Sequence, residues 1–195
     1  DIGRVVHATT LFTNALIERR GAKTGLLTTA GFADVLEIAR ERKYELYDLF
    51  IGMPKPIVPR PWRREAQERL APDGSVERAL DVEAAHAEVA DLVNQGVESL
   101  AICFLHAYAN PAHERTMAGA VAERFQHLSV SLSTDTAPET REYQRASTTV
   151  ANAYVRPLAE IYLDRLERAL RDERIPGALF LMLSNGGLTH VAEAR

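Results

Sequence analysis

Residues 141–149, REYQRASTT, concentrate charged and hydroxyl side chains just before a long amphipathic pattern. Arg141 and Arg145 are four residues apart, so in a helix both guanidinium groups would lie on one face. Two guanidinium groups on one face can bind a carboxylate or a phosphate through forked hydrogen bonds. The same arginines can instead pair with Glu139 or Glu142, and the hydroxyl groups that follow can cap a helix. The segment is therefore either an anion-binding element or the start of a helix.

Polar side chains also follow most of the predicted strands, in the stretches HATT, LLTT, LSTD and LSNGG. A fifth stretch, CFLHAY, carries His106. Ligands of open α/β sheets bind at the carboxyl ends of the strands, so these stretches predict a rim that faces a ligand. Serine, threonine, asparagine and aspartate also cap helices after βα turns, which is the alternative role at each strand end.

The histidines and the cysteine give weaker signals. His7, His106 and His113 lie near strand ends or a helix start, but no H-x-H or H-E-x-x-H motif is present, which argues against a zinc hydrolase. Cys103 is the only cysteine, so an intramolecular disulfide and a cysteine-rich metal site are excluded. Its apolar surroundings predict a buried core residue. The Gly-Gly pair of SNGG would let a phosphate approach the backbone, although no Walker or G-x-G-x-x-G motif is present.

Apolar runs alternate with helical patterns along most of the chain, which is typical of an α/β fold with a largely parallel sheet. A kink or break is expected in the last helix before Pro157, because proline removes a backbone donor. Strands are predicted over residues 4–8, 23–29, 97–108, 127–135 and 177–187. Helices are predicted over residues 9–22, 30–42, 81–96, 110–126 and 146–175.

Local capping signals set the ends of several helices. Thr9 or Thr10 is predicted to cap the first helix, with Gly21 as the glycine that follows its end. Asp81 and Asn110 are predicted to cap the two helices in the middle of the chain.

The stretch from residue 43 to residue 61 breaks the α/β alternation. Four prolines between Pro54 and Pro61 disfavour a central strand or helix, so a long ordered loop is predicted. Trp62 follows this loop and is a candidate for an exposed partner contact or a local packing anchor. Asp73-Gly74 is a turn dipeptide between two short runs, which predicts a β-hairpin excursion.

The bulk composition is that of an ordinary folded domain. The chain has 195 residues, 46% of them hydrophobic and 26% charged, with a net charge of −4. The acidic balance disfavours nucleic acid as a partner. No apolar run reaches the roughly 18 residues of a membrane span, and no signal peptide is found, so a cytoplasmic location without membrane contact is expected.

Several long motifs together resemble the hydantoinase A/5-oxoprolinase family, which includes N-methylhydantoinase A and acetone carboxylase-type subunits. They are VVHATTLFTNALIERRGAKTGLLTTAGFADVLEIARER, GVESLAICFLHAYANPAHE, PETREYQRASTTVANAYVRP and LMLSNGG. The resemblance runs over nearly all of the chain, in order. It implies an amino-terminal hydantoinase/oxoprolinase domain over residues 1–150 and the beginning of the following hydantoinase A domain over residues 151–195.

The resemblance implies an actin-like ATPase (ribonuclease H-like) fold with a mixed, largely parallel sheet, flanking helices and the proline-rich and hairpin excursion. It implies ATP- and Mg²⁺-dependent opening of a cyclic amide such as hydantoin, N-methylhydantoin or 5-oxoproline. Carboxylation of a ketone and a non-catalytic subunit-interaction domain are the alternatives. A hydantoinase B-type subunit, or its fused equivalent, is the implied partner. The family's glycine-rich phosphate loops are expected before Asp1 and after Arg195, so the chain by itself is expected to be inactive.

The candidate site residues follow from polarity and from their places in these motifs. The candidate catalytic residues are His7, Arg141, Glu142 and Arg145. The candidate residues of a substrate or nucleotide cleft are Thr9, Thr10, Thr28, Thr29, Asn185, Gly186 and Gly187. No residue is assigned as a metal ligand.

Overall fold

A computed structural model describes residues 2–40, 45, 47–48, 50, 52 and 54–191 of the chain. Its strands are β1 (Arg4–His7), β2 (Thr24–Thr29), β3 (Arg63–Ala66), β4 (Arg69–Leu70), β5 (Val76–Arg78), β6 (Ser99–Cys103), β7 (Ser129–Leu132), β8 (Ala178–Met182) and β9 (Leu188–His190). Its helices are α1 (Leu11–Ile17), α2 (Val35–Ile38), α3 (Val82–Asn94), α4 (Ala112–Arg124), α5 (Ser133–Thr136) and α6 (Glu142–Asp172), with a 3-10 turn at Arg60–Trp62.

The chain divides into two compact units. The central unit comprises Ala22–Tyr154, and the terminal unit comprises Asp1–Gly21 together with Val155–Arg195. The division falls inside α6, between Tyr154 and Val155. The domain boundary predicted near residue 150 stays a prediction about how the complete protein is organised.

The central unit is built on a parallel four-stranded sheet with the order β3-β2-β6-β7. Leu27, Leu100 and Ile102 pack with α3 and α4, whereas Leu26 and Ala101 pack with α2 and α6. Helices therefore cover both faces of the sheet, which is why every residue of β2 and β6 is buried.

Helix α3 shows how local signals place an element against this sheet. The Asp81 side chain accepts a hydrogen bond from the Ala84 amide at 3.0 Å, as its capping role predicts. Gly25 of β2 lies beneath the helix, and a β-carbon there would come within 2.9 Å of Leu92 Cδ1. The missing side chain lets α3 pack closely on β2.

The terminal unit contains a three-stranded sheet with the order β1-β8-β9. β1 is parallel to β8, and β9 is antiparallel to it. Leu163 of α6 packs with Leu181 and Val191 in a small core. Across the described residues, no helix combines the length and the apolar character needed to cross a lipid bilayer.

The predicted α/β class with mostly parallel strands is confirmed, and the strands of the described residues divide among three sheets of four, three and two strands. The predicted hairpin around Asp73-Gly74 is present as β4 and β5. β3, however, is an additional parallel strand beside β2, which the pattern did not predict. The sequence RREA is typical of an exposed segment, but in the fold its charged side chains form ion pairs or hydrogen bonds with other elements.

Several predicted boundaries are wrong for local reasons. Helix α1 ends at Ile17, so the left-handed residue after it is Arg19 (φ 56°) and not Gly21. The helix predicted over residues 30–42 is reduced to α2, which ends at Ile38 because Ala39 after it has a left-handed φ of 52°. Residues 41 and 42 lie outside the described residues. Residues 54–59 form neither helix nor strand, as predicted, while most of residues 43–53 are outside the described part.

Three predictions near the end of the chain also need correction. The strand predicted over residues 127–135 stops at Leu132, because α5 begins at Ser133. Helix α6 continues through Pro157, so the predicted break is wrong, whereas the kink given as its alternative stays a prediction. Proline removes the donor to the carbonyl four residues earlier, that of Ala153, and the adjacent Tyr154 carbonyl accepts a hydrogen bond from the Ala22 amide at 2.9 Å. SNGG is the turn of the β8–β9 hairpin and not the open end of a strand.

Candidate functional site

The carboxyl ends of the central strands are joined by a buried polar network. Thr29, the last residue of β2, donates a hydrogen bond to the Glu68 carboxylate and accepts one from the Leu105 amide at 2.8 Å. The other carboxylate oxygen of Glu68 lies 2.8 Å from His113 Nδ1. Thr29, Glu68 and His113 are all buried. This network links the ends of β2, β3 and β6 to the first turn of α4.

Glu114, next to His113, forms a second buried node. One of its oxygens accepts hydrogen bonds from the Phe104 amide at 2.9 Å and the Ser133 hydroxyl at 2.6 Å. Its other oxygen accepts from the Thr134 amide at 3.0 Å. Burial raises the pKa of the Glu114 carboxyl, and these hydrogen bonds oppose the shift. Glu114 therefore fixes the chain after β6 and after β7.

Arg145 of α6 is buried, with 1% of its surface exposed. It donates to the carbonyls of Phe104 at 2.7 Å and Glu139 at 3.2 Å, and its guanidinium lies over the Tyr108 ring. Its Nε is buried and has no hydrogen-bond partner among the described residues. The predicted pairing of Arg145 with the Glu139 carboxylate is wrong, because the arginine binds the backbone of that residue.

The other residues of REYQRASTT have different environments. Arg141 is exposed just before α6, and Glu142 is the half-buried first residue of the helix. The Ser147 hydroxyl donates to the Gln144 carbonyl, and the Thr149 hydroxyl donates to the Arg145 carbonyl. Capping of α6 by these hydroxyl groups is a wrong prediction, because the helix begins at Glu142 and both groups lie inside it.

Thr28 and Cys103 face each other across β2 and β6. The Thr28 hydroxyl donates to the Cys103 carbonyl at 2.9 Å. Burial raises the pKa of the Cys103 thiol, and the nearby Arg145 charge only partly opposes that shift. Because a buried neutral thiol is a poor nucleophile, the prediction of a core cysteine is confirmed.

Two neighbouring spaces beside the start of α6 share part of their lining. The outer pocket has a volume of about 240 Å³ and is lined by Gly31, Phe32, Asp34, Val35, Ile38, Ala39, Glu142 and Tyr143. The inner cavity has a volume of about 10 Å³ and is lined by Thr28, Phe32, Val35, Cys103, Leu105, Glu142, Arg145 and Ala146. Phe32, Val35 and Glu142 line both spaces. The structure thus brings Thr28, Glu142 and Arg145 together.

The remaining candidates lie in the terminal unit. His7 Nε2 is 2.6 Å from the Tyr162 hydroxyl. Thr9 Oγ1 accepts a hydrogen bond from the Leu11 amide at 3.1 Å, so it caps α1 locally. Thr10 occupies the capping position, but its side chain accepts no capping hydrogen bond from the backbone. Its hydroxyl oxygen accepts a hydrogen bond from the side-chain Nδ2 of Asn14 at 3.4 Å.

The amides of the glycine turn in the terminal unit form hydrogen bonds within the turn itself. The Gly186 amide donates to the Leu183 carbonyl at 2.9 Å, and the Gly187 amide donates to Asn185 Oδ1 at 2.9 Å. Gly186 has a φ of +83°, which explains the glycine at this position. The turn is a self-contained hairpin connection.

The structure also identifies buried charged residues that pattern analysis missed. Arg63 donates to the Val58 and Ala33 carbonyls and to the Glu37 carboxylate, and burial lowers the pKa of its guanidinium. Glu68 and Glu114 are equally buried. Their sequence neighbours are polar, so no periodic signal marks them as interior.

The half-buried Trp62 packs against both core clusters of the central unit, with Lys23 Nζ 4.5 Å from its ring centroid, which supports the packing-anchor alternative.

Comparison with known families gives two matches. The hydantoinase/oxoprolinase N-terminal region matches residues 1–125, and the hydantoinase/oxoprolinase domain matches residues 145–195.

Individual relatives extend this similarity. The alpha subunit of caprolactamase from Pseudomonas jessenii is 35% identical over 96% of the chain and 27% of its own length. The crystal structure of that ATP-dependent caprolactamase superposes with a TM-score of 0.87 at 36% identity, covering 96% of this chain and 28% of its own.

Two further proteins show how broad the group is. 5-Oxoprolinase 1 from Arabidopsis thaliana is 29% identical over 92% of the chain and 16% of its own length. A nucleotide-free acetone carboxylase structure superposes with a TM-score of 0.85 at 25% identity, covering 95% of this chain and 28% of its own. The chain therefore spans less than a third of each of these proteins.

Proposed function

The chain belongs to the hydantoinase/oxoprolinase family, and on that basis we propose that it is part of an ATP-dependent enzyme that opens cyclic amides. The observation that carries this proposal is the similarity to caprolactamase, which extends over 96% of the chain in sequence and in fold. The proposed substrates are lactams and related rings, including hydantoin, N-methylhydantoin and 5-oxoproline. The domain boundary near residue 150 is part of the same proposal.

Cyclic amides resist hydrolysis because resonance between nitrogen and carbonyl makes the carbon a poor electrophile. ATP supplies the driving force that such a reaction needs, and a divalent metal ion neutralises the phosphate charge. The described residues do not by themselves fit either group. No group of three or more histidine, cysteine, aspartate or glutamate side chains among them is arranged to hold a metal ion. The amides of Gly186 and Gly187 are engaged within their own turn. We propose that polypeptide beyond this chain contributes the nucleotide site.

The part of the site proposed for this chain is the end of the central sheet. Arg145 supplies a buried positive charge, and Glu142 supplies a carboxylate on the wall of the adjoining pocket. Thr28 and Thr29 hold the end of β2 through their hydroxyl groups. Arg141 is proposed only as an exposed contact.

Roles are also proposed for residues of the terminal unit. His7 carries a ring nitrogen held by Tyr162, so its orientation is fixed for contact with a ligand. Thr9, Thr10, Asn185, Gly186 and Gly187 are proposed as cleft residues because of their places in the family motifs.

Carboxylation of a ketone is the second candidate function. The observation that favours it is the acetone carboxylase superposition, which is nearly as close as that of caprolactamase. A partner subunit of the hydantoinase B type, separate or fused, is proposed in either case, because the caprolactamase relative is named as one subunit of an assembly. A cytoplasmic location is proposed for the complete enzyme.

The test is ATP hydrolysis by the complete polypeptide together with its partner subunit. ε-Caprolactam, hydantoin, N-methylhydantoin and 5-oxoproline are supplied one at a time, and acetone with bicarbonate is supplied in a separate reaction. Stimulation by at least one cyclic amide, with release of the ring-opened product, supports the proposal. Stimulation by the ketone alone transfers the assignment to the carboxylases, and stimulation by none of them refutes both functions.

A further inference from the structure

We propose that the outer pocket and inner cavity beside the start of α6 form a binding site for a small, neutral cyclic amide. The ligand class rests on the proposed function, whereas the site itself rests on the geometry of the central unit.

The outer pocket has the size and the surface for a small ring. Its volume of about 240 Å³ lies just below the roughly 300–1,000 Å³ typical of sites for drug-sized ligands. Phe32, Val35, Ile38 and Tyr143 give it apolar walls. The Ile38 side chain is 55% exposed, so a ring packed against it would remove apolar surface from water.

The inner cavity adds a buried donor. Its volume of about 10 Å³ is close to the space for one water-sized atom, and Arg145 is part of its lining. Within the described part of the chain, the buried Nε of this arginine finds no acceptor. An unsatisfied buried donor is costly, so an oxygen atom placed in the cavity would be stabilised by the arginine.

The two spaces together complement an amide group. An amide has an oxygen that accepts hydrogen bonds and, in a lactam, an N–H that donates one. The oxygen would enter the inner cavity toward Arg145. The N–H would face the carboxylate of Glu142, which lines both spaces, and the ring would fill the outer pocket.

The charges of the pocket select among cyclic amides. Glu142 and Asp34 both line it, and Asp34 is already paired with Arg60 at 2.6 Å. A ligand with its own carboxylate, such as 5-oxoproline, would bring a like charge to this wall and would bind less well. This wall therefore favours neutral lactams over cyclic amides that carry a carboxylate.

The test is calorimetric titration of the complete polypeptide with ε-caprolactam and with 5-oxoproline, in the absence of nucleotide. ε-Caprolactam is expected to bind more tightly. Glu142→Gln is expected to weaken its binding about tenfold, because a charged acceptor is replaced by a neutral one. Val35→Phe is expected to abolish binding by filling both spaces. Glu123→Gln, on the exposed side of α4, removes the same charge elsewhere and is expected to bind like the unmodified protein.

Other outcomes overturn the site. These are equal binding of the two ligands, no binding of ε-caprolactam, unchanged binding in Glu142→Gln, or crystals soaked in the lactam that show only a water in the inner cavity. Glu142→Gln decides the question if Val35→Phe fails to fold. Lactam-stimulated ATP hydrolysis that Val35→Phe leaves unchanged would refute this site and keep the proposed function. Lactam binding without stimulated ATP hydrolysis would refute that function and keep the site.

Discussion

Phe104 is held on both sides of its backbone by buried ionic side chains. Its amide donates to Glu114 of α4, and its carbonyl accepts from Arg145 of α6. Hydrogen bonds to charged groups are stronger than those between neutral groups. The chain that leaves β6 is therefore fixed by two helices, and the network around it has a structural role whatever ligand it meets.

Arg145→Ala is expected to destabilise the protein by about 2–4 kcal/mol, because two carbonyl groups lose their donor and a space remains. Urea denaturation measures the loss. Arg141→Ala, at the exposed position four residues earlier, serves as the matched control and is expected to change stability by less than about 0.5 kcal/mol. Equal denaturation midpoints for the two variants would show that Arg145 has no structural role. A direct role of Arg145 in catalysis is then measured as the lactam-dependent ATP hydrolysis of the variant protein that remains folded.

Glu114→Gln is expected to cost about 1–3 kcal/mol, because the new amide N–H₂ cannot accept from all three donors. The cost depends on pH. A carboxyl whose pKa is raised by folding binds more protons in the folded state, so its contribution to stability falls as pH rises above the ordinary value of about 4.3. The stability difference between the two proteins should therefore be larger at acidic than at neutral pH, as measured by urea denaturation across that range. A difference that stays constant with pH would contradict the raised pKa.

The sequence predicted only some of these environments. Cys103 was placed correctly because its neighbours are all apolar. The burial of Arg145, Glu68 and Glu114 could not be predicted, because a charged side chain is expected to be exposed unless its partners in the fold are known. Those partners come from strands and loops distant in sequence, such as Phe104 for Arg145.

Helix α3 depends on a local capping interaction that the sequence predicted. Asp81→Ala removes the acceptor of the Ala84 amide and should cost about 1 kcal/mol. Asp81→Asn keeps an acceptor and should lose much less. Thermal denaturation of the two variants checks the difference, and equal losses would mean that the charge of Asp81 matters more than its hydrogen bond.

Elements with local signals were predicted better than elements fixed by distant contacts. α3 and β6 follow from a cap, a clear apolar pattern and a buried run. β3 was missed because RREA has no apolar alternation, and it joins the sheet through its pairing with β2 and the partners of Arg63. The continuity of α6 was missed because the proline rule is local, while α6 packs in the cores of the central and the terminal unit along its length.

The central unit contains its own sheet, its own cores and both halves of the proposed site. An excised segment of residues 22–154 is therefore expected to fold by itself and to unfold cooperatively in urea, as followed by circular dichroism. A gradual transition without a cooperative step would show that it needs the rest of the polypeptide. The family match was predictable from motif order at this scale, because several long motifs occur in the family's order along nearly the whole chain.

The position of β3 has a consequence for how the protein behaves at high concentration. β3 is an edge strand of the central sheet, and exposed edge strands are sites where separate chains pair and aggregate. Its half-buried residues Arg64 and Glu65 place charges along that edge, and Arg64 is paired with Asp91 of α3. The charges that hid β3 in the sequence therefore oppose edge-to-edge pairing of the central sheet with another chain.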